Sequence, residues 1–297
     1  MNQIILDTDI GYDPDDLFAL LFLQKLAGDN LHLIITANEH EEKRYRFLCQ
    51  ILKLSKNYIS DKMVATSGSW LENSKSKFTV DSLLTDEIFI DLHHGSSFTS
   101  QIYSLIKHRE LHYNDSVIYI GIGGFTNLAK FIEDYPSEAK KMKIFMMGGA
   151  LNYERYENWI EYNIKIDPIS AEKVINADLD ITFIMAQTTH NPLYEITQDS
   201  SFYKNLKQST IPIHKLLCDH CDLWFKIREF KHGTSMHDPL TVVTALGYDF
   251  VELETAKISM KNNKFVIDNE NGHTVKYSLP SSKAQEFMIF LEEIILN

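Results

Sequence analysis

Basic residues, cysteines and long apolar runs are all scarce in this sequence, and each scarcity removes a class of protein. Lys and Arg number 29 against 41 Asp and Glu, a formal net charge of −12. A chain of that charge offers no broad positive surface to a phosphate backbone, so nucleic acid is not an expected partner. No apolar run approaches the ~20 residues needed to span a bilayer, so no membrane association is expected. The opening, Met1 to Thr8, reads as a short strand rather than a basic region followed by a leader's apolar stretch, and the expected location is the cytoplasm. Three cysteines, Cys49, Cys218 and Cys221, form no even disulfide framework. Cys218-Asp219-His220-Cys221 has the C-x-x-C spacing of redox and zinc sites, but no second pair stands nearby to complete four zinc ligands. Both thiols are therefore read as core residues of a helix. Asn114-Asp115-Ser116 fits a glycosylation sequon and carries no weight without a leader. Repeats and low-complexity segments are also lacking.

What the sequence does have is alternation. With 44% hydrophobic residues over 297 positions it can bury one large core, and the simplest division is a single domain, 1–297. Short β-branched runs at Ile4–Thr8, Leu31–Thr36, Met63–Thr66, Val117–Ile120, Lys143–Met147 and Ile181–Met185 predict strands. Between them, helical periodicity covers Asp15–Leu26, Glu41–Leu54, Phe98–Lys107, Thr126–Ile132 and Ser170–Asn176, with Ile213–Phe230 following. This is the pattern of an α/β fold: an open, mostly parallel, Rossmann-like sheet with helices on both faces. Right-handed crossovers bring all the strands' C-terminal ends to one edge, where such sheets bind ligands. The tail differs. Lys257–Met260, Lys264–Asp268 and Thr274–Tyr277 predict a small antiparallel meander, with Asn271-Gly272 as a turn, before a closing helix at Ser281–Leu296. Trp70–Asp86 is the candidate for a long functional loop.

Directly after the apolar Ile4-Ile5-Leu6 comes Asp7-Thr8-Asp9-Ile10-Gly11-Tyr12-Asp13-Pro14-Asp15-Asp16, running into Leu17-Phe18-Ala19-Leu20. Five carboxylates so close repel one another, and holding them at one strand end needs a compensating charge. A hard divalent cation bound through oxygens supplies it, and the number of clustered carboxylates favours calcium over magnesium. Gly11 permits a tight turn, Pro14 suits the start of a helix, and that helix's N-terminus adds positive potential at Asp15 and Asp16. The plainer alternative is that Asp13 or Asp15 caps the helix while the others face solvent.

Three more segments fall on the same edge. Gly121-Ile122-Gly123-Gly124-Phe125-Thr126-Asn127 is a glycine-rich turn that lacks the Gly-Lys-Ser/Thr ending of a P-loop, which disfavours a nucleoside triphosphate. Gly148-Gly149-Ala150 is followed by Asn158, Glu161 and Asn163; the last two share a face if the chain is extended, an arrangement suited to gripping a polyol. Met236-His237-Asp238-Pro239 opens a helix predicted at Leu240–Leu246, with Asp238 as N-cap and Pro239 at the first helical position. His237 could titrate near neutral pH and act as a general acid.

Taken in chain order, Asp7-Thr8-Asp9-Ile10-Gly11 with Asp15-Asp16, then Thr36-Ala37-Asn38, Gly124-Phe125-Thr126-Asn127, Met147-Gly148-Gly149, Glu161-Tyr162-Asn163 with Asp167-Pro168, and His237-Asp238-Pro239, the sequence resembles the inosine–uridine nucleoside hydrolases. The resemblance implies calcium-dependent hydrolysis of the bond between ribose and base in a small-molecule nucleoside, by a homodimer or homotetramer. It implies that Asp9, Asp16, Asp238 and the main-chain carbonyl of Thr126 hold Ca2+, with Asp9 as base toward the attacking water. It further implies that Asp15, Asn38, Asn158, Glu161 and Asn163 hold the ribose and that His237 stands near the departing base. Aligning by distance from Asp9, rather than by helix register, would instead give Asp13 the ribose role. Two other readings stay open here: a magnesium-dependent phosphohydrolase of haloacid-dehalogenase type, which also begins with a strand and Asp-x-Asp, and a ribosyl-binding relative without turnover.

Overall fold

The computed structural model describes residues 3–38, 40, 42–55, 63–70, 77–85, 97–112, 116–229 and 233–297. Its first half alternates β1 (Gln3–Thr8), α1 (Asp15–Ala27), β2 (Leu31–Asn38), α2 (Lys43–Leu54), β3 (Val64–Trp70), α3 (Phe98–His112), β4 (Val117–Gly121), α4 (Thr126–Asp134), α5 (Pro136–Ala139) and β5 (Met142–Met147). There follow α6 (Tyr162–Ile166), α7 (Pro168–Ile175), β6 (Ile181–Ile184), α8 (Ala186–Thr189), β7 (Glu195–Ile196), α9 (Ser201–Lys207), α10 (Pro212–Ile227), β8 (Thr234–Ser235) and α11 (His237–Ala245). The chain closes with β9 (Leu253–Lys261), β10 (Lys264–Ile267), β11 (His273–Ser278) and α12 (Ala284–Leu296).

Nine strands form one sheet in the order β10-β9-β11-β6-β5-β4-β1-β2-β3. Within it β3-β2-β1-β4-β5-β6 are parallel, and the direction of winding reverses between β1 and β4. That reversal opens a crevice at the strands' carboxyl ends, where side chains from two separate turns can converge. Register makes the convergence close: Asp7 is level with Gly121 on one side and with Ile35 on the other.

The alternation of side chains along each strand divides the core in two. Ile4 and Leu6 of β1, with Ile118 and Ile120 of β4, pack into one layer with α1, α10, α11 and α12. Ile5, Val117 and Tyr119 point the other way, into a layer with α3, α4 and α7. A period of two on a strand buried on both faces produces this partition, and it is why β1 shows no polar residue before Asp7 apart from Gln3. In the first layer Phe287 of α12 is fully buried, with its ring 5.5 Å from Phe250, 5.7 Å from Tyr194 and 6.4 Å from Phe22 of α1. Phe287→Ala is expected to cost about 3–5 kcal/mol, read as a lower urea midpoint with little change in slope.

Several expectations need correction. The C-terminal strands do not form a meander: β9 lies between β10 and β11, and β11 joins β6 in parallel, so the tail extends the main sheet. The tight hairpin is at Asn262-Asn263, both at positive φ, while Gly272 donates its N–H to Asp268 O in the approach to β11. β3 runs on to Trp70, four residues beyond its predicted end. Helices α5, α6, α8 and α9 were not anticipated, because segments of four to seven residues are too short to show a 3.6-residue period. Helix α11 begins at His237, not Leu240, so Asp238 is inside its first turn and Met236 is the N-cap. Pro239 is tolerated there because first-turn N–H groups have no intrahelical partner. Of the predicted loop Trp70–Asp86, residues 71–76 and 86 lie outside the described residues, as do 114 and 115 of the sequon. Among the described residues, no helix is long and apolar enough to cross a membrane.

Candidate active site

The turn after β1 carries the aspartates to the switch-point crevice, and α1 starts at Asp15 with no side-chain cap. Asp15 and Asp16 are buried at 3% and 4% exposure, too enclosed for caps facing solvent. From the far end of the sequence, the first turn of α11 brings in Asp238, equally buried. One carboxylate oxygen from each of Asp15, Asp16 and Asp238 lies within 4.8 Å of the others. Burial raises the pKa of Asp16 well above the usual carboxylate value, and the Asp9 carboxylate raises it further. Burial also drives up Asp238, reinforced by Asp15, Asp16 and Asp9. Burial raises the pKa of Asp15 as well, reinforced by the charges of Asp13 and Asp16. Without a cation the cluster thus retains protons, and its donors are the hard oxygens that calcium or magnesium takes.

Asp9 is buried beside this trio and joins it to the β4–α4 turn. Its Oδ1 would stand 3.0 Å from a Cβ at Gly123, and its amide nitrogen 2.9 Å, so only glycine lets the turn approach this near. Asp9, Gly123, Thr126 and Asn127 line one small cleft with Asp7 and Ser69. Thr126 opens α4 and its hydroxyl donates to Asp167 Oδ2 at 2.8 Å, while Asp167 caps α7 through Ser170 N.

Asp13 turns elsewhere. It accepts hydrogen bonds from the Thr234 hydroxyl and from the Asp15 main-chain amide, and burial raises its pKa to about 7. Asp7, the fifth carboxylate, is also diverted: Tyr119 Oη donates to one oxygen at 2.5 Å and Asn127 Nδ2 to the other at 2.7 Å. Asn127 Oδ1 in turn accepts from Ser69 N at 2.6 Å, tying β1, β3 and α4 together.

Glu161 and Asn163 do not share an extended face. Glu161 is the N-cap of α6: its Oε1 accepts from Asn163 N at 3.0 Å and its Oε2 from Ile164 N at 3.2 Å and Gly149 N at 3.1 Å. A glutamate that satisfies helix N-terminal amides draws the chain into a turn, which overrides the alternating pattern. Asn163 Nδ2 donates to Met147 O at 3.0 Å, so both residues are fixed against the end of β5. Asn158 is exposed, at φ +59°, and it is the neighbouring Trp159 that turns inward. Asn38 ends β2, and its side chain falls outside the described ones. His237 holds Thr189 Oγ1 with its Nδ1 at 2.6 Å; burial, then the neighbouring His190 and Arg155, push its pKa well below the usual histidine value, so the neutral imidazole replaces the titrating one expected.

Two features were not visible beforehand. Arg44, fully buried, donates through Nη1 to the carbonyls of Asp9 and Ile10 and through Nη2 to Lys77 O at 2.8 Å. It lowers the pKa of Asp16 and fastens residues 77–80 onto the aspartate turn, where Thr79 N donates to Gly11 O at 2.9 Å and Lys77 N to Tyr162 Oη at 3.1 Å. The only hint was an arginine on a helix otherwise read as amphipathic. The second is a group of rings beside His237, comprising Tyr153, Trp159 and His190. Cys49, Cys218 and Cys221 are buried free thiols, in line with the core reading, and burial raises the pKa of each.

Against this geometry, the family model described as inosine-uridine preferring nucleoside hydrolase matches residues 4–289. A pyrimidine-specific ribonucleoside hydrolase RihA of Shewanella woodyi is 25% identical over 97% of this chain and 93% of its own length. The protein of the same name from Klebsiella pneumoniae subsp. pneumoniae is 24% identical over 82% of this chain and 79% of its own. The solved structure of a purine-preferring ribonucleoside hydrolase from Gardnerella vaginalis superposes with a TM-score of 0.81 over 99% of this chain and 98% of that one, at 20% identity, a likeness of fold.

Proposed function

As the chain belongs to the inosine-uridine preferring nucleoside hydrolase family, we propose that it hydrolyses the N-glycosidic bond of ribonucleosides to ribose and free base with a calcium ion at the aspartate cluster. It is an enzyme, a hydrolase acting on N-glycosyl bonds. The observation that carries the reading is the buried oxygen set of Asp15, Asp16 and Asp238 at the sheet's switch point, gathered from the first and eleventh helices. Acidic side chains are seldom buried together unless something pairs with them, and an all-oxygen set fits calcium.

Asp9, Asp16, Asp238 and the carbonyl of Thr126 would hold the cation. Calcium, when bound, would neutralise the carboxylates and align the ribose diol with the attacking water. Asp9, packed against Gly123 at the mouth of the cleft, takes the proton of that water at its carboxylate. Asp15 belongs with the ribose rather than Asp13, since Asp13 is engaged by Thr234 and the Asp15 amide. Glu161 and Asn163 join it, held in position by main-chain bonds, and Asn38 is kept in the set by its place at the end of β2. Asn158, being exposed, is left out of that set. As the bond breaks, positive charge grows on the sugar, and the carboxylates of Asp15 and Glu161 stabilise it through a field set in advance by the fold. Neutral His237, its Nδ1 paired with the Thr189 hydroxyl, would offer an Nε2 proton to the departing base in the tautomer in which Thr189 is the donor. A homodimer or homotetramer remains the assembly we propose.

The test is a panel of purine and pyrimidine ribonucleosides assayed for free base and reducing sugar. Base and ribose are expected to appear in equal amounts; a panel in which no nucleoside yields base would sink the proposal.

A further inference from the structure

Four rings stand together next to the start of α11, which carries Asp238. His190 and His237 are perpendicular with centroids 5.0 Å apart; Trp159 is 5.8 Å from His190, and Tyr153 is 5.7 Å from His190 and 5.6 Å from Trp159. Chain continuity locates the group relative to the sugar. Trp159 is two residues before Glu161, and His237 is one before Asp238. Two of the rings thus continue from the segments to which the reading above gives the ribose and the cation.

Within this group His190 carries a polar atom with nothing to bind. Its Nδ1 is covered and has no hydrogen-bond partner among the described residues. Its Nε2 faces Arg155 Nη1 at 3.4 Å. A guanidinium has donors only, so Nε2 must be the acceptor and the ring proton must sit on Nδ1. The result is a buried N–H that lacks an acceptor, an arrangement folded chains avoid unless something else completes it. The ring as a whole is half-buried while its Nδ1 is covered by its neighbours, so a base that reaches that N–H would have to displace one of the adjoining rings.

We propose that His190 is a specificity-determining residue that donates its Nδ1 proton in a hydrogen bond to an acceptor on the heteroaromatic leaving base, with Arg155 fixing the tautomer. The proposal rests on the nucleosidase reading above and adds a contact on the base. Planar rings suit the surrounding aromatic edges, and every nucleobase carries ring-nitrogen or carbonyl acceptors. A sugar hydroxyl cannot take this role equally well, since the ribose is accounted for by Asp15, Glu161 and Asn163.

The experiment compares kcat/KM for uridine and inosine with that for 4-nitrophenyl β-D-ribofuranoside, whose phenolate departs without help. In His190→Phe, which keeps a ring but loses the donor, the nucleoside-to-aryl ratio is expected to fall about tenfold or more, the worth of one hydrogen bond. His190→Asn, which restores an N–H near the same position, is expected to recover part of it. Arg155→Leu, at an exposed position that folding does not depend on, is expected to lower the ratio in the same direction by releasing the tautomer. A ratio unchanged in His190→Phe, or equal losses on both substrate types, overturns the proposal while leaving the nucleosidase reading intact. If the parent enzyme itself cleaves no riboside, both are overturned together. Should His190→Phe not fold, His190→Asn and Arg155→Leu decide: a ratio unmoved by Arg155→Leu overturns the assignment.

Discussion

Asp238→Asn is expected to lower kcat/KM for nucleosides by about a thousandfold or more while raising the melting temperature of the metal-free protein. Both effects follow from the same three carboxylates. Asparagine keeps the shape of aspartate, so α11 and its packing are retained, but it supplies one neutral oxygen where the cation needs a charged one. Activity then falls with the loss of the ion. In the absence of the ion, the substitution has the opposite consequence for stability. Asp238 is buried against Asp15 and Asp16, and its charged form is opposed first by burial and then by those neighbours. Removing that group relieves the strain, and the asparagine amide can donate to Asp15. Base release and thermal melts with and without chelator are the measurements. Turnover within tenfold of the parent's would show that Asp238 does not hold a required ion.

The second large effect concerns pH. The aspartate cluster of metal-free protein is expected to stabilise the fold most near pH 4–5 and progressively less toward pH 8, opposed by buried His190, His220 and His237, whose lowered pKa values favour the folded state as the pH climbs through about 6.5. Asp13 is raised to about 7, and Asp15, Asp16 and Asp238 are also raised, chiefly by burial. An unfolded aspartate titrates near 3.9, so between roughly pH 4 and 7 the folded chain retains protons that the unfolded chain has released. For these four carboxyls folding in that window takes up protons, and their contribution to stability falls as protons become scarce. Calcium reverses the trend, because it competes with protons for the same oxygens and binds best when they are ionised. The gap between melting temperatures in calcium and in chelator should therefore widen from pH 5 to pH 8; at a hundredfold excess over Kd it corresponds to about 2.7 kcal/mol. Chelator is expected to abolish turnover and added calcium to restore it. A calcium-to-chelator gap that narrows between pH 5 and 8 would contradict the account, as would turnover indifferent to chelator.

Much of this architecture could be read beforehand because its strands are buried on both faces and separated by long amphipathic helices. The run Ile4-Ile5-Leu6 sends alternate residues into opposite layers, and a segment that is apolar throughout is what such a position requires. The site was legible where it depends on charge density: five aspartates in ten residues are improbable on any other grounds, and three of them, Asp9, Asp15 and Asp16, do gather in the crevice. It was illegible where long-range pairing decides. Nothing local to Asp7 says that Tyr119 and Asn127 will occupy it, and nothing local to Asp13 announces Thr234, 221 positions away. Nor does anything local announce that Gln187 of α8 accepts from Leu151 N at 3.2 Å and so steadies the segment leading to Trp159. The phosphohydrolase alternative, founded on the same Asp-x-Asp, is set aside by the family match over residues 4–289.

The gathering of Asp16 and Asp238 from nearly opposite ends of the polypeptide also bears on biosynthesis. While the ribosome is still extending the middle of the sequence, the early aspartates have no distant partner to complete a pocket with. On the proposed reading, ion capture would come only after α11 has emerged and docked against α1, a final latch on an already assembled scaffold rather than a seed for it. A truncated translation product ending before Met236 would remain a chain that calcium cannot rescue.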